Sequence, residues 1–115
     1  MDTKIYHNPN CSKSRATLAL LRERDIDIEV IEYLKNPPSA DEIRGLLTKL
    51  GLGAAGIVRS GEKPFQESGL ALNSPADALI SLITKEPIVM QRPIVVTDKS
   101  ARIGRPPEHV LELFS

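Results

Sequence analysis

The sequence predicts an α/β fold with a strand–helix–strand unit first, a run of helices in the middle and a strand–strand–helix unit last. Three observations carry this. Residues 4–34 pass from a short apolar segment through a helical pattern into an alternating β-branched segment. Residues 90–104 hold the most strand-like stretch of the chain, a polar turn and a short return. Residues 37–87, between them, carry helical spacing with start and stop signals. A parallel pair joined by a helix, followed by an antiparallel hairpin, implies a mixed four-stranded sheet.

The first strand is Lys4-Ile5-Tyr6, and His7-Asn8-Pro9-Asn10 after it is rich in turn formers. From Ser12 to about Arg24 the spacing is helical, with Ala16, Leu18, Leu20 and Leu21 amid Arg and Glu. Cys11 therefore stands at the start of a helix. In Asp25–Leu34, Ile26, Ile28 and Val30 alternate with acidic residues, a period-two strand signal. Pro37-Pro38 breaks the chain, and Ser39 with Glu42 forms a capping box before Ile43, Leu46, Leu47 and Leu50. Gly51-Leu52-Gly53 ends that helix. A further helix starts near Ser74-Pro75, buries Leu79, Ile80 and Ile83, and stops at Pro87. Met90–Thr97 is a strand, Asp98-Lys99-Ser100 its turn and Ala101–Gly104 the return. Arg105-Pro106-Pro107-Glu108 opens a last helix with Val110, Leu111 and Phe114 inward.

Composition removes several functional classes. The 115 residues carry 15 Lys+Arg and 15 Asp+Glu, so bulk charge offers nothing to a nucleic acid. Aromatics are 3%, too few and too scattered for a base-stacking platform. No apolar run approaches the roughly 20 residues that span a bilayer, and the N-terminal residues lack a signal-peptide hydrophobic segment, which points to a cytoplasmic protein. Cys11 is the only cysteine, so an internal disulfide and a multi-cysteine zinc site are both excluded. His7 and His109 alone make no metal site. Redox chemistry must take its second thiol from another molecule.

A thiolate at Cys11 would face the positive end of a helix dipole and unpaired backbone N–H groups, which lowers a thiol pKa. His7, Ser12 and Ser14 are close enough in sequence to hydrogen-bond it, and Lys13 and Arg15 add positive charge. The competing reading is an inert buried cysteine. The phosphatase-like loop of Cys, five residues and Arg is absent, because position 17 is Thr17. Cys11-x-x-Ser14 is instead like a monothiol redox motif. Pro93 before a strand fits a proline at a strand start; in thioredoxin-like folds such a proline is cis and faces the active cysteine.

The stretch Ile5-Tyr6-His7-Asn8-Pro9-Asn10-Cys11-Ser12-Lys13-Ser14-Arg15 resembles the active-site loop of the glutaredoxin-coupled arsenate reductase family. Glu32–Ser39, Gln91–Thr97 and Arg102–Pro107 match it too, so the resemblance covers essentially the whole chain. The chain has Cys11-Ser12-Lys13-Ser14-Arg15 where the best-known members have Cys-Gly-Thr-Ser-Arg, and it resembles a shorter branch. The resemblance implies a thioredoxin-like fold, with a core over about 1–35 and 88–115 and a helical insertion over about 37–87, together one domain. It implies Cys11 as nucleophile; Arg59, Arg92 and Arg105 as oxyanion ligands; His7 and Ser14 as stabilisers of the thiolate; and Pro93 as the cis-proline. It implies reduction of arsenate to arsenite through a cysteinyl-arsenate intermediate, with glutathione as co-substrate, glutaredoxin as partner, and no bound cofactor or metal. Two other functions share these motifs. One is a regulator of the Spx type that binds RNA polymerase, although Ser14 removes the Cys-x-x-Cys switch. The other is a glutathione-dependent thiol transferase, which would use Cys11 and the cis-proline without three arginines.

Overall fold

Strand β1 (Lys4–His7) is the centre of the fold and ends where the Cys11 loop begins. The computed structural model describes residues 3–114. They form two compact units, one of the residues up to Asn36 with those from Arg92 onward, the other Pro37–Gln91.

In the first unit, helix α1 (Ser12–Glu23) crosses from β1 to β2 (Glu29–Glu32), which lies parallel to β1 with Ile5 beside Val30. Strand β3 (Ile94–Val96) runs antiparallel on the other side of β1, and β4 (Ala101–Ile103) returns antiparallel to β3. The order β2-β1-β3-β4 is the mixed four-stranded, thioredoxin-like sheet expected from the sequence. Ile5 and Val95 sit opposite each other and are fully buried, together with Leu18 and Leu21 of α1 and Val110. Ile26, Ile28, Leu113 and Phe114 pack around this cluster.

Three local expectations are revised. The buried stripe of α1 is Ser14, Thr17, Leu18 and Leu21, while Ala16 faces solvent. Spacing of i, i+3, i+4 and i+7 selects one face whatever the polarity of its residues, so two hydroxyl side chains are carried inward. The second strand is short, because α1 ends in a Schellman turn: Ile26 N–H donates to Leu21 O at 3.2 Å and Asp25 N–H to Arg22 O at 3.1 Å. Asp25 takes the left-handed conformation there (φ 57°), which a short polar side chain tolerates. Ile26 and Ile28 therefore pack from a loop, not from a strand. The last helix is a 3-10 helix (Pro107–Phe114). Its three-residue period aligns Leu113 with Val110, so Leu113 joins the core cluster in place of Leu111.

In the second unit, α2 (Ala40–Leu50) begins with the expected capping box: Glu42 N–H donates to Ser39 Oγ at 3.1 Å and Ser39 N–H to Glu42 Oε1 at 3.0 Å. It ends on Gly51 at φ 71°, a conformation glycine adopts without penalty. A 3-10 turn (Ala54–Ile57), α3 (Lys63–Glu67) and α4 (Ala76–Lys85) follow. Ile43, Leu46, Ile57, Leu79, Ile80 and Ile83 are buried. A second 3-10 turn (Pro87–Val89) and an antiparallel bridge between Val58 and Met90 keep the chain in this unit as far as Gln91. No described helix is long and apolar enough to cross a membrane.

Leu21 is fully buried in the α1–sheet cluster, whereas Leu20 is only half-buried. Leu21→Ala is expected to cost about 2–5 kcal/mol and Leu20→Ala clearly less, measured by urea unfolding of both variants.

Candidate active site

The loop between β1 and α1 is built by Asn8. Its N–H donates to Ser14 Oγ at 3.0 Å, its side-chain Oδ1 accepts from Asn10 N–H at 2.9 Å, and its C=O accepts from Cys11 N–H at 3.0 Å. Three groups of one residue thus wrap the chain around the position where Cys11 becomes the N-cap of α1. Cys11 has extended backbone angles (φ −103°, ψ 122°) and its C=O accepts the first helical bond, from Arg15 N–H at 3.0 Å. That places the sulfur at the positive end of α1, beside the N–H groups of its first turn.

The sulfur gathers donors from several directions. Burial pushes the Cys11 thiol up. The Ser14 N–H, a hydrogen bond from the Arg92 side chain, the Lys13 N–H and the Arg92 charge outweigh it, and the thiol lies below its ordinary range. Arg105 adds its guanidinium: Nη2 stands 3.8 Å from Cys11 Sγ, while Nε donates to Arg92 O at 2.9 Å. Arg105 is thus fixed by the backbone of the other arginine. The Arg92–Pro93 and Arg105–Pro106 peptide bonds are both cis.

The structure brings Cys11, His7, Ser14, Arg92, Pro93 and Arg105 together in the first unit. Ser14 reaches the thiol through its main chain; its hydroxyl is used elsewhere, 2.6 Å from His7 Nδ1. His7 therefore touches Ser14. Burial, with the charges of Arg22 and Arg15, outweighs Glu32 and holds the imidazole below its usual range. Lys13 likewise contributes a main-chain N–H. Arg15, read from the sequence as local charge for the thiol, donates from Nη1 to Pro9 O at 2.8 Å and so ties down the loop. Arg59 belongs to the second unit, where Nε donates to Glu62 Oε2 at 3.2 Å and Nη1 to Gln91 Oε1 at 3.0 Å. Among the described residues no group of three or more His, Cys, Asp or Glu side chains could hold a metal ion.

Two positions escaped the sequence reading. Asn8 is one, although its place between a strand and Pro9 marked a turn. Gly104 is the other. A Cβ there would lie 2.5 Å from Thr17 Oγ1 and 2.8 Å from Pro93 Cγ. Thr17 cannot easily yield, because its hydroxyl donates to Lys13 O at 2.8 Å. The missing side chain lets the end of β4 close on α1 and Pro93, which sets the backbone of Arg105. A lone glycine at a strand end gives no such signal in the sequence.

The model of the ArsC family matches residues 6–113. This chain belongs to the ArsC family. A relative in Escherichia coli (strain K12), called uncharacterized protein YfgD, is 49% identical over 112 residues, which is 96% of this chain and 94% of that one. An arsenate reductase of Neisseria meningitidis is 44% identical, covering 95% of each chain. Among solved structures, an arsenate reductase from Vibrio cholerae superposes with a TM-score of 0.92 at 45% identity, covering 97% of both chains. These ArsC relatives match along nearly the full chain, and the range matched by the family model spans Cys11, Arg92 and Arg105.

A thiolate is the reactive form of cysteine, so a lowered pKa keeps Cys11 reactive as the pH falls. The alkylation rate of Cys11 should titrate at lower pH in the folded protein than in the urea-unfolded chain, and Arg92→Ala should move it back up. The matching increment of stability is present above the unfolded thiol's pKa and is lost as the pH falls through the folded one. Gly104→Ala should leave the protein folded with a lower thermal midpoint and slow Cys11 alkylation at neutral pH, as Arg105 and the α1 turn are pushed apart.

Proposed function

We propose that this protein reduces arsenate to arsenite in the cytosol, with glutathione and glutaredoxin supplying the electrons. The observation that carries the reading is the set of donors on one sulfur: two main-chain N–H groups, the Arg92 side chain and the Arg105 guanidinium. A site that stabilises a thiolate with arginines is also suited to a tetrahedral oxyanion, since guanidinium groups fork onto paired oxygens. The 40–49% identical relatives include proteins named arsenate reductase, in keeping with this substrate.

In this reading Arg92 and Arg105 hold the oxyanion against Cys11, and Arg59 is the third arginine. The Cys11 thiolate attacks arsenic and an oxygen leaves as water, giving a cysteinyl-arsenate ester in which arsenic is still pentavalent. Two external thiols then give up two electrons: they end as a disulfide, arsenic becomes trivalent, and Cys11 returns as a thiolate. Glutathione provides the first thiol and glutaredoxin the second. The external pair is required because Cys11 is the only cysteine.

The test is oxidation of NADPH with arsenate, glutathione, glutathione reductase and glutaredoxin. Cys11→Ser should abolish turnover without unfolding the protein. Arg92→Lys and Arg105→Lys should each lose about ten- to a hundredfold, the worth of one charge-assisted contact, because an ammonium cannot reproduce the fork. Turnover that survives both lysine substitutions, with loss only in Cys11→Ser, would favour a thiol transferase. No turnover in the wild type with any glutaredoxin would refute the proposal.

A further inference from the structure

Beside the Cys11 loop the first unit carries a groove of about 620 Å³, within the size range of binding clefts. Arg15, Leu18, Ala19, Arg22 and Glu23 of α1 line it, with His7 at the end of β1. Pro9 completes the lining, and Arg15 Nη1 donates to Pro9 O at 2.8 Å. One rim of the groove is therefore the loop that carries Cys11. Leu18 and Ala19 contribute apolar surface between the two arginines, which stand two helical turns apart, roughly 10 Å along the axis.

The charge on this helix is one-sided. Lys13, Arg15, Arg22 and Arg24 are exposed along residues 12–24, against one carboxylate, Glu23. Lys13, Arg22 and Arg24 make no ion pair with another described residue. The charges of Arg15 and Arg22 both reach His7, and Glu32, which opposes them there, is paired with Lys35 Nζ at 3.7 Å. The whole chain is neutral, so this excess is local.

We infer that the groove and the exposed face of α1 dock an acidic face of the protein that brings the reducing thiol to Cys11. The inference rests on the reading of Cys11 as a nucleophile regenerated by an external protein thiol, the role given above to glutaredoxin. Small redox encounters bury up to about 600 Å² per partner, a patch of roughly 14 Å radius. Along α1, Arg15 lies about 6 Å and Ala19 about 12 Å from Cys11. Arg22 lies further on, but a helical side chain leans toward the N-terminus, which returns its guanidinium to the rim of such a patch. Cations at a rim steer an acidic partner and set the salt dependence of its arrival. A second copy of this chain fits the face poorly, since a two-fold contact would set the same cations against each other.

The experiment follows one bond with two attackers. Cys11 is first converted to its mixed disulfide with thionitrobenzoate. An attacking thiolate then forms a new disulfide with the Cys11 sulfur and expels the coloured thionitrobenzoate anion. Reduced glutaredoxin is the protein attacker, and dithiothreitol, small and uncharged, is the control. Arg22→Ala should slow release by glutaredoxin about threefold and Arg22→Glu about tenfold or more. Release by dithiothreitol should stay within about twofold in both. Arg22→Lys should keep most of the rate, and added salt should slow the wild type more than Arg22→Ala. Arg24→Glu makes the same charge change outside the groove and should slow glutaredoxin much less.

Equal slowing by Arg24→Glu and Arg22→Glu would overturn the inference, because charge without the groove would then suffice. So would equal slowing of both attackers by Arg22→Glu, or a dimer of the protein that Arg22→Glu abolishes, which would give the groove to a second copy. If Arg22→Glu leaves release by glutaredoxin unchanged while glutaredoxin still supports arsenate turnover, the docking site falls and the function stands. If glutaredoxin neither releases thionitrobenzoate from the wild type nor supports turnover, both fall.

Discussion

A negative charge on a largely buried sulfur has to be met by donors, and the active half of this protein is arranged around that demand. Burial alone drives the Cys11 thiol toward its neutral form. The first turn of α1 supplies the N–H groups of Lys13 and Ser14, which exist unpaired because any helix leaves its first amides without intrahelical partners. Arg92 supplies a full charge at the mouth of β3, and Arg105 a second one from beyond β4. The cysteine thus occupies the N-cap, a position where serine or aspartate would ordinarily use its side chain on the helix itself. Here a sulfur stands in that place, and the amides of Lys13 and Ser14 favour its thiolate form.

The rest of the first unit keeps those donors aimed. The three hydrogen bonds of Asn8 shape the loop, and the buried Ser14 hydroxyl, between Asn8 N–H and His7 Nδ1, anchors the start of α1 to the end of β1. The contact of Arg105 Nε with Arg92 O makes the two arginines a linked pair. Gly104 permits that pairing by admitting the β4 end against Thr17 and Pro93. Behind these polar contacts, Ile5, Leu18, Leu21, Val95 and Val110 hold α1 on the sheet, so the site is carried by secondary structure and not by a free loop.

The second unit applies the same economy to a cation. Arg59 is fixed by a short backbone ladder to residues 89–91 and by two acceptors on its guanidinium. A long flexible side chain becomes a defined direction in space, as the sulfur does in the first unit.

Much of this was legible in the chain itself. Alternation, helical spacing and turn residues gave the mixed sheet, the Ser39–Glu42 capping box and the place of Cys11 at a helix start, because these are local properties of adjacent residues. The long motifs around Cys11, Arg92 and Arg105 marked the site residues. Tertiary structure alone decided how those residues act. Ser14 serves through its amide, and Arg15 braces Pro9, because the turn of α1 places atoms that no spacing rule distinguishes. Leu113 replaced Leu111 in the core once the last helix adopted a three-residue period. Gly104 and the partners of Arg59 depend on residues 87 and 32 positions away, at Thr17 and Gln91. Contacts at such separations are fixed by packing, and packing leaves no period in the sequence.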